Sequence, residues 1–263
     1  MKKGMSPIWA LWTLITVGLI IFIGLSLGPD IRLGNHTLTK ARFAETLLAR
    51  EEEADSVAVQ IELPDTVAIV AEPIEPDTTV HSVLVFGDSM THHLAMSIAK
   101  YGSQNNYKVT GVTWESSSIP GWSSSGKIKQ YMEMAKPDFI FISLGSNEME
   151  LKYFDKRIPD IKKILEQIDT IPYVWVGPPL WKEDKGVYAM LDKAINPEKV
   201  FHTVGIEIPR GGDHIHPTRK GADVWADTLM RWIANSPHPI LNQKPDSSAT
   251  TKGHKFIYLH SND

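Results

Sequence analysis

Three short segments hold the residues best suited to chemistry: Gly87-Asp88-Ser89-Met90, Gly145-Ser146-Asn147-Glu148, and Gly212-Asp213-His214-Ile215-His216-Pro217-Thr218. A serine hydroxyl becomes a nucleophile when a neighbouring base takes its proton, and acyl transfer also needs donors around the developing oxyanion. Ser89 follows a Gly-Asp turn, and His216 is the candidate base. Asp213, three residues earlier, can orient that imidazole from the same loop. Asn147 offers a side-chain amide donor. A Gly-Asp-Ser turn or an Asp-x-x-His pair alone is a common pattern. Their order along the chain, with Gly-Ser-Asn-Glu between them, is what points to catalysis.

Metal-binding residue types are also present, in His92, His93, His214, His216, Asp88 and Asp213. His214 and His216 are badly spaced for one helix face, and Asp213 and His216 already have roles, so no metal and no cofactor is expected. Asp88 is expected to fix its turn, Glu148 to support the Asn147 loop, and His214 to line the cleft.

These segments need elements to position them. Short apolar runs predict strands at Ser82–Phe86, Tyr107–Thr113, Asp138–Leu144, Tyr173–Val176 and Val200–Val204. Helical patterns fall between them, near Leu94–Tyr101, Lys127–Ala135, Ile161–Ile168 and Val187–Ala194. A last helix is expected from Pro217 to Ala234, with Ala222, Trp225, Leu229, Trp232 and Ile233 on its apolar stripe. Alternating strands and helices predict a parallel sheet covered on both faces. In such sheets ligands bind beyond the carboxyl ends of the strands, and all three polar segments fall there. Trp114, Trp122 and Trp181 lie on expected loops at that edge, as sugar-stacking rings or as lids.

The flanks differ from this core. Lys2 and Lys3 precede an uncharged apolar run from Pro7 to Gly28, long enough to span a bilayer. Residues 1–28 are therefore expected to be a signal-anchor with its start in the cytoplasm and the remainder exported. Cleavage after Ser26-Leu27-Gly28 is the competing reading. Residues 29–80 read as an acidic stalk, 81–235 as the catalytic domain, and 236–263 as a loosely ordered tail. Net charge is -4 without a basic cluster, so no nucleic-acid partner is expected. The absence of cysteine excludes disulfides, thiolate metal sites and a cysteine nucleophile.

The chain resembles the SGNH/GDSL hydrolase family over about residues 82–235. The family's first block matches Gly87-Asp88-Ser89, its third Gly145-Ser146-Asn147-Glu148, and its fifth Asp213 to His216, followed by Pro217, Thr218 and Gly221. Val174-Trp175-Val176-Gly177-Pro178-Pro179 is similar to the fourth-strand phrase of bacterial members. The resemblance implies a flavodoxin-like three-layer α/β/α fold, here with a five-stranded parallel sheet, and hydrolysis of carboxylic esters without a metal. It implies oxyanion donors from the Ser89 N–H, a second-block glycine N–H and Asn147. The second block departs from the family pattern: within Glu115 to Gly126 the donor is assigned to Gly121, with Ser117 or Ser118 as alternatives.

An exported, tethered esterase faces the cell envelope. The expected activity is removal of O-acetyl groups from an envelope or extracellular polysaccharide, with an acylated carbohydrate or another small ester as substrate. The alternative is a polysaccharide O-acetyltransferase using the same triad beside a membrane acyltransferase partner. A lipase, a thioesterase and a non-catalytic scaffold fit less well.

Overall fold

The computed structural model describes residues 31–33, 36–38 and 75–263. The chain divides into two units, Met1–Ile69 and Val70–Asp263. In the first, Ile31–Leu33 and His36–Leu38 pair as antiparallel strands, Ile31 opposite Leu38. The anchor expected over 1–28 and most of the stalk lie outside the described residues. Among the described residues no helix is long and apolar enough to cross a membrane.

The second unit is built on strands β1 (Ser82–Gly87), β2 (Lys108–Trp114), β3 (Phe139–Ser143), β4 (Tyr173–Val176), β5 (Val200–Phe201) and β6 (Lys255–Leu259). They form one sheet in the order β5-β4-β3-β1-β2-β6, every neighbouring pair parallel. The central strands are continuous apolar runs because both of their faces are covered. All five residues of β3 are buried, as are Val83 to Gly87 of β1.

Alternation along β1 and β3 sorts their side chains into two cores. Val83, Val85, Phe139 and Phe141 pack with helices α1 (Thr91–Asn105) and α6 (Arg219–Ile233) through Leu94, Ile98, Trp225 and Leu229. Leu84, Phe86, Ile140 and Ile142 face the other side. There they meet α2 (Ile119–Ser124), α3 (Lys127–Ala135), α4 (Ile158–Ile168) and α5 (Val187–Ala194). The result is a three-layer α/β/α arrangement.

The sheet has six strands, not five. β6 comes from the segment read as a tail, and pairs with β2 from Thr110↔Lys255 to Trp114↔Leu259. It is a half-exposed edge strand whose short run Phe256-Ile257-Tyr258-Leu259 lies within the Pro-, Ser- and Lys-containing stretch read as a tail. Gly111 opposite it leaves space for the Phe256 ring, since a Cβ there would lie 3.0 Å from Phe256 Cδ1. Two smaller differences concern α2, which the sequence patterns do not predict, and β5, which ends at Phe201 rather than Val204. Trp232, expected in the core, is half-buried against it.

Candidate active site

The carboxyl ends of β1, β2 and β6 lie in one row, through the pairings Gly87↔Thr113 and Thr113↔Tyr258. β3 ends beside β1 through Gly87↔Ser143. Gly87 is required there, because a Cβ would lie 1.8 Å from the Ser143 carbonyl oxygen. The Asp88 N–H donates to that same oxygen at 3.1 Å, and the Thr91 N–H to the Asp88 carbonyl at 3.0 Å. This turn sets Ser89 at the start of α1.

His216 and Asp213 occupy a loop closed at its base. Arg210 bridges Pro217 in antiparallel fashion, and the Gly211 N–H donates to the His216 carbonyl at 2.9 Å. The Arg210 guanidinium donates to the Ile215 carbonyl and, at 2.7 Å, to the Leu180 carbonyl, tying the loop to the segment that follows β4. His214 turns the chain with a left-handed φ of 59°. Thr218 then caps α6, its Oγ1 accepting the Gly221 N–H at 3.0 Å.

Ser89 and His216, 127 residues apart, meet at 3.0 Å between Oγ and Nε2. His216 Nδ1 lies 2.6 Å from Asp213 Oδ2, while Asp213 Oδ1 accepts the N–H groups of Ile215 and His216, each at 3.0 Å. These hydrogen bonds, that from His216 foremost, hold the Asp213 carboxyl far below its ordinary value. An ionised carboxylate only accepts, so it fixes the proton on Nδ1 and leaves the Nε2 lone pair for the Ser89 hydroxyl. The side chains of His216 and Asp213 are 45% and 48% exposed, so this pair stands in an open site.

Asp88 is buried beside the nucleophile. It accepts the Met90 N–H at 3.1 Å, the Ser146 N–H at 3.2 Å and the Ser146 hydroxyl. Burial raises its carboxyl to about 6, against those hydrogen bonds and the pull of His216. Asp88 thereby fastens the nucleophile turn to the Asn147 segment. Asn147 Nδ2 donates to the Ser117 carbonyl at 2.7 Å, and Glu148 Oε1 accepts the Ile119 N–H at 2.8 Å.

The segment around Ser118 was the ambiguous part of the sequence. The Gly121 N–H is directed at Ser118 Oγ, 3.4 Å away, as part of the α2 cap, and the Ser117 N–H donates to the Trp114 carbonyl at 3.2 Å. The N–H groups of Ser118 and Ser89 have no partner among the described residues. Of the candidates Gly121, Ser117 and Ser118, Ser118 is thus the one whose N–H is not directed at another group among the described residues.

A cleft of about 260 Å³ adjoins the nucleophile, lined by Ser89, Met90, His92, His93, Glu115, His216, Pro217 and Tyr258. The His93 Nδ1 lies 3.1 Å from the Pro217 carbonyl, which braces the loop carrying His216. His214, expected as a lining residue, is exposed and is not among the cleft residues. Trp122 is fully buried and Trp114 packs edge-on against it at 5.6 Å, so the first is core and the second is half-buried. Tyr258 was missed because it lies in a segment with no polar motif; the short apolar run Phe256-Ile257-Tyr258-Leu259 was the available signal.

No protein-family model and no curated protein matches this chain. Five solved chains do. A gut microbial diltiazem-metabolizing enzyme is 12% identical with a TM-score of 0.40, over 58% of this chain and 46% of that one. An acetyl xylan esterase is 15% identical with a TM-score of 0.38, over 57% of this chain and 98% of that one. A member of the lipolytic protein G-D-S-L family from Veillonella parvula DSM 2008 is 16% identical with a TM-score of 0.42. That similarity covers 57% of this chain and 96% of the Veillonella protein, which places a G-D-S-L protein among the structures this chain resembles.

Proposed function

We propose that this chain is an extracytoplasmic serine esterase that removes O-acetyl groups from an envelope or extracellular polysaccharide. The observation that carries the reading is the continuous contact from Ser89 Oγ through the His216 ring to the Asp213 carboxylate, at 3.0 and 2.6 Å. Ser89 Oγ attacks the acetyl carbonyl while its proton passes to His216 Nε2. The oxyanion forms against the N–H groups of Ser89 and Ser118 and the free N–H of the Asn147 amide. Collapse expels the sugar oxygen, which takes the proton from His216 and leaves an acetyl-serine. A water then attacks that ester, giving its proton to His216, and acetate departs as the proton returns to Ser89.

The exposure of His216 and Asp213 supports a polymer substrate, since a chain-like glycan can lie across an open edge. The cleft is small for a long acyl chain, which argues against a lipase. The apolar run of residues 7–28 supports an anchored, exported domain.

Acetate release and acetyl transfer should be measured together, using an acetylated oligosaccharide as donor and an unacetylated one as acceptor. Release that depends on Ser89 supports hydrolysis, whereas transfer exceeding release makes the chain an O-acetyltransferase. Neither product from a folded wild type would sink the catalytic reading.

A further inference from the structure

We infer that the cleft running from Ser89 to Tyr258 is a subsite for an uncharged sugar ring, the leaving-group side of the ester, walled by the C-terminal strand. The inference rests on the esterase reading and adds the chemical class of what lies beside the acetyl group.

The wall is continuous. Glu115 donates its N–H to the Leu259 carbonyl at 2.9 Å, and Trp114 Nε1 donates to the His260 carbonyl at 3.2 Å. These bonds hold the end of β6 at the same edge as the nucleophile. The Tyr258 ring meets His92 edge-on at 5.6 Å, and His92 lies 5.3 Å from His93, whose Nδ1 contacts the Pro217 carbonyl. Thus an exposed aromatic ring stands on the same cleft as the nucleophile and the base.

The lining chemistry selects the occupant. Tyr258 is 45% exposed, so its ring is open to the cleft that it lines. The Glu115 side chain is 44% exposed, with His260 Nδ1 3.5 Å from its carboxylate. Tyr258 and Glu115 line the same cleft, and burial first, then the charge of Glu115, raise the Tyr258 hydroxyl above its ordinary value. A ring face beside a carboxylate acceptor matches a sugar, with its C–H face to stack and its hydroxyls to donate. No lysine or arginine is among the lining residues and Glu115 is the one carboxylate there, a lining that does not favour an anionic ligand. An acetyl group alone leaves most of the roughly 260 Å³ unfilled.

Full-length wild-type protein, Tyr258→Ala, Tyr258→Phe and Glu115→Gln should be assayed on 6-O-acetylglucose and on ethyl acetate, an ester with no ring. Tyr258→Ala is expected to lower kcat/KM for the sugar ester about tenfold, mainly through KM, as expected for one lost stacking contact. It should leave ethyl acetate within about twofold, because the triad is untouched. Tyr258→Phe keeps the ring and should retain most activity on both. Glu115→Gln should raise activity on an acetylated glucuronic acid relative to 6-O-acetylglucose. An equal fall on both esters in Tyr258→Ala, or no fall on either, overturns the inference while leaving the esterase standing. So does a wild type that cleaves ethyl acetate and ignores the sugar ester. A folded wild type that cleaves neither overturns the esterase reading itself.

Discussion

The Glu148 carboxylate accepts the backbone N–H of Ile119 at 2.8 Å, and its neighbour Asn147 grips the Ser117 carbonyl at 2.7 Å. These two side chains hold Ser118 from both sides. The same segment is fastened by Asp88, one residue before the nucleophile. Nucleophile turn and proposed oxyanion donors are therefore parts of one buried hydrogen-bonded unit. Glu148 is a positioning residue in this arrangement, acting through the Ser118 backbone.

Glu148→Ala should leave the Ile119 N–H buried and unpaired, at a cost of about 1–3 kcal/mol in stability. Misplacing Ser118 should lower kcat by about 10- to 100-fold with KM little changed. Glu148→Gln keeps an acceptor at the same place and should recover most of kcat. Unfolding curves and steady-state kinetics on the three proteins test this; if Gln is as damaging as Ala, the acceptor is not what matters.

The same carboxyl predicts how stability changes with pH. Burial, then the nearby Asp88 charge, push Glu148 up to about 7 from 4.5, over the opposing Ile119 hydrogen bond, and one Oε2 has no partner. A raised folded-state value means the folded chain binds more protons than the unfolded one between about 4.5 and 7. The contribution is complete below that window and is lost as pH rises through it. Asp88, raised from 3.8 to about 6, acts in the same direction. Asp213, held low, acts oppositely, losing its contribution on acidification below the ordinary aspartate range. The expected melting temperature of the wild type falls between pH 5 and pH 7.5, and Glu148→Gln flattens part of that slope. A slope unchanged in the variant excludes Glu148 as its source.

Much of this unit was legible before the fold. Ser89, Asp213 and His216 are short motifs at strand ends, and βαβ alternation forces such ends to one edge of the sheet. The structure brings those three within hydrogen-bond reach. What the sequence could not disclose is which backbone N–H remains free. Every residue between Glu115 and Gly126 except Pro120 carries one, and only the fold shows the Gly121 N–H directed at Ser118 Oγ, 3.4 Å away. β6 was hidden for another reason: its short run Phe256-Ile257-Tyr258-Leu259 follows a Pro-, Ser- and Lys-containing stretch and carries no polar motif, so Tyr258 looked like part of a tail.

Ser89→Ala should reduce kcat by about 10⁴–10⁶-fold and leave the melting temperature nearly unchanged, since the hydroxyl has one partner, His216. Asp213→Asn keeps an oxygen for the Ile215 and His216 N–H groups but presents an amide to Nδ1. That amide places the imidazole proton on Nε2, and kcat should fall by about 10⁴-fold. A loss below tenfold in either variant would mean that this hydroxyl or this tautomer is not used.

Gly221 sits where α6 passes the catalytic loop. A Cβ there would lie 2.0 Å from the Pro209 carbonyl oxygen, a backbone atom already accepting the Thr218 N–H at 3.0 Å. Gly221→Ala should therefore displace the helix start from the loop base, costing about 2–4 kcal/mol and shifting His216 away from Ser89. Both melting temperature and kcat should drop. A variant whose melting temperature is unchanged, active or not, does not fit this geometry.

The second-segment donor can be tested by contrasting Gly121 with Asn147. A Cβ on Gly121 meets nothing closer than 3.6 Å, its φ is not in the left-handed region, and alanine retains the N–H. Gly121→Ala should keep kcat within about twofold and stabilise the chain slightly, by about 0.4–1 kcal/mol, through a less flexible unfolded state. Asn147→Ala removes an amide with one N–H spent on the Ser117 carbonyl and the other free for the oxyanion. It should lower kcat by about 10²–10³-fold, the usual loss for one such donor. The informative quantity is the ratio of the two effects on the same ester: a tolerant Gly121 and an intolerant Asn147 support Ser118 as the backbone donor. A strong loss in Gly121→Ala with an unchanged fold would return the donor to Gly121.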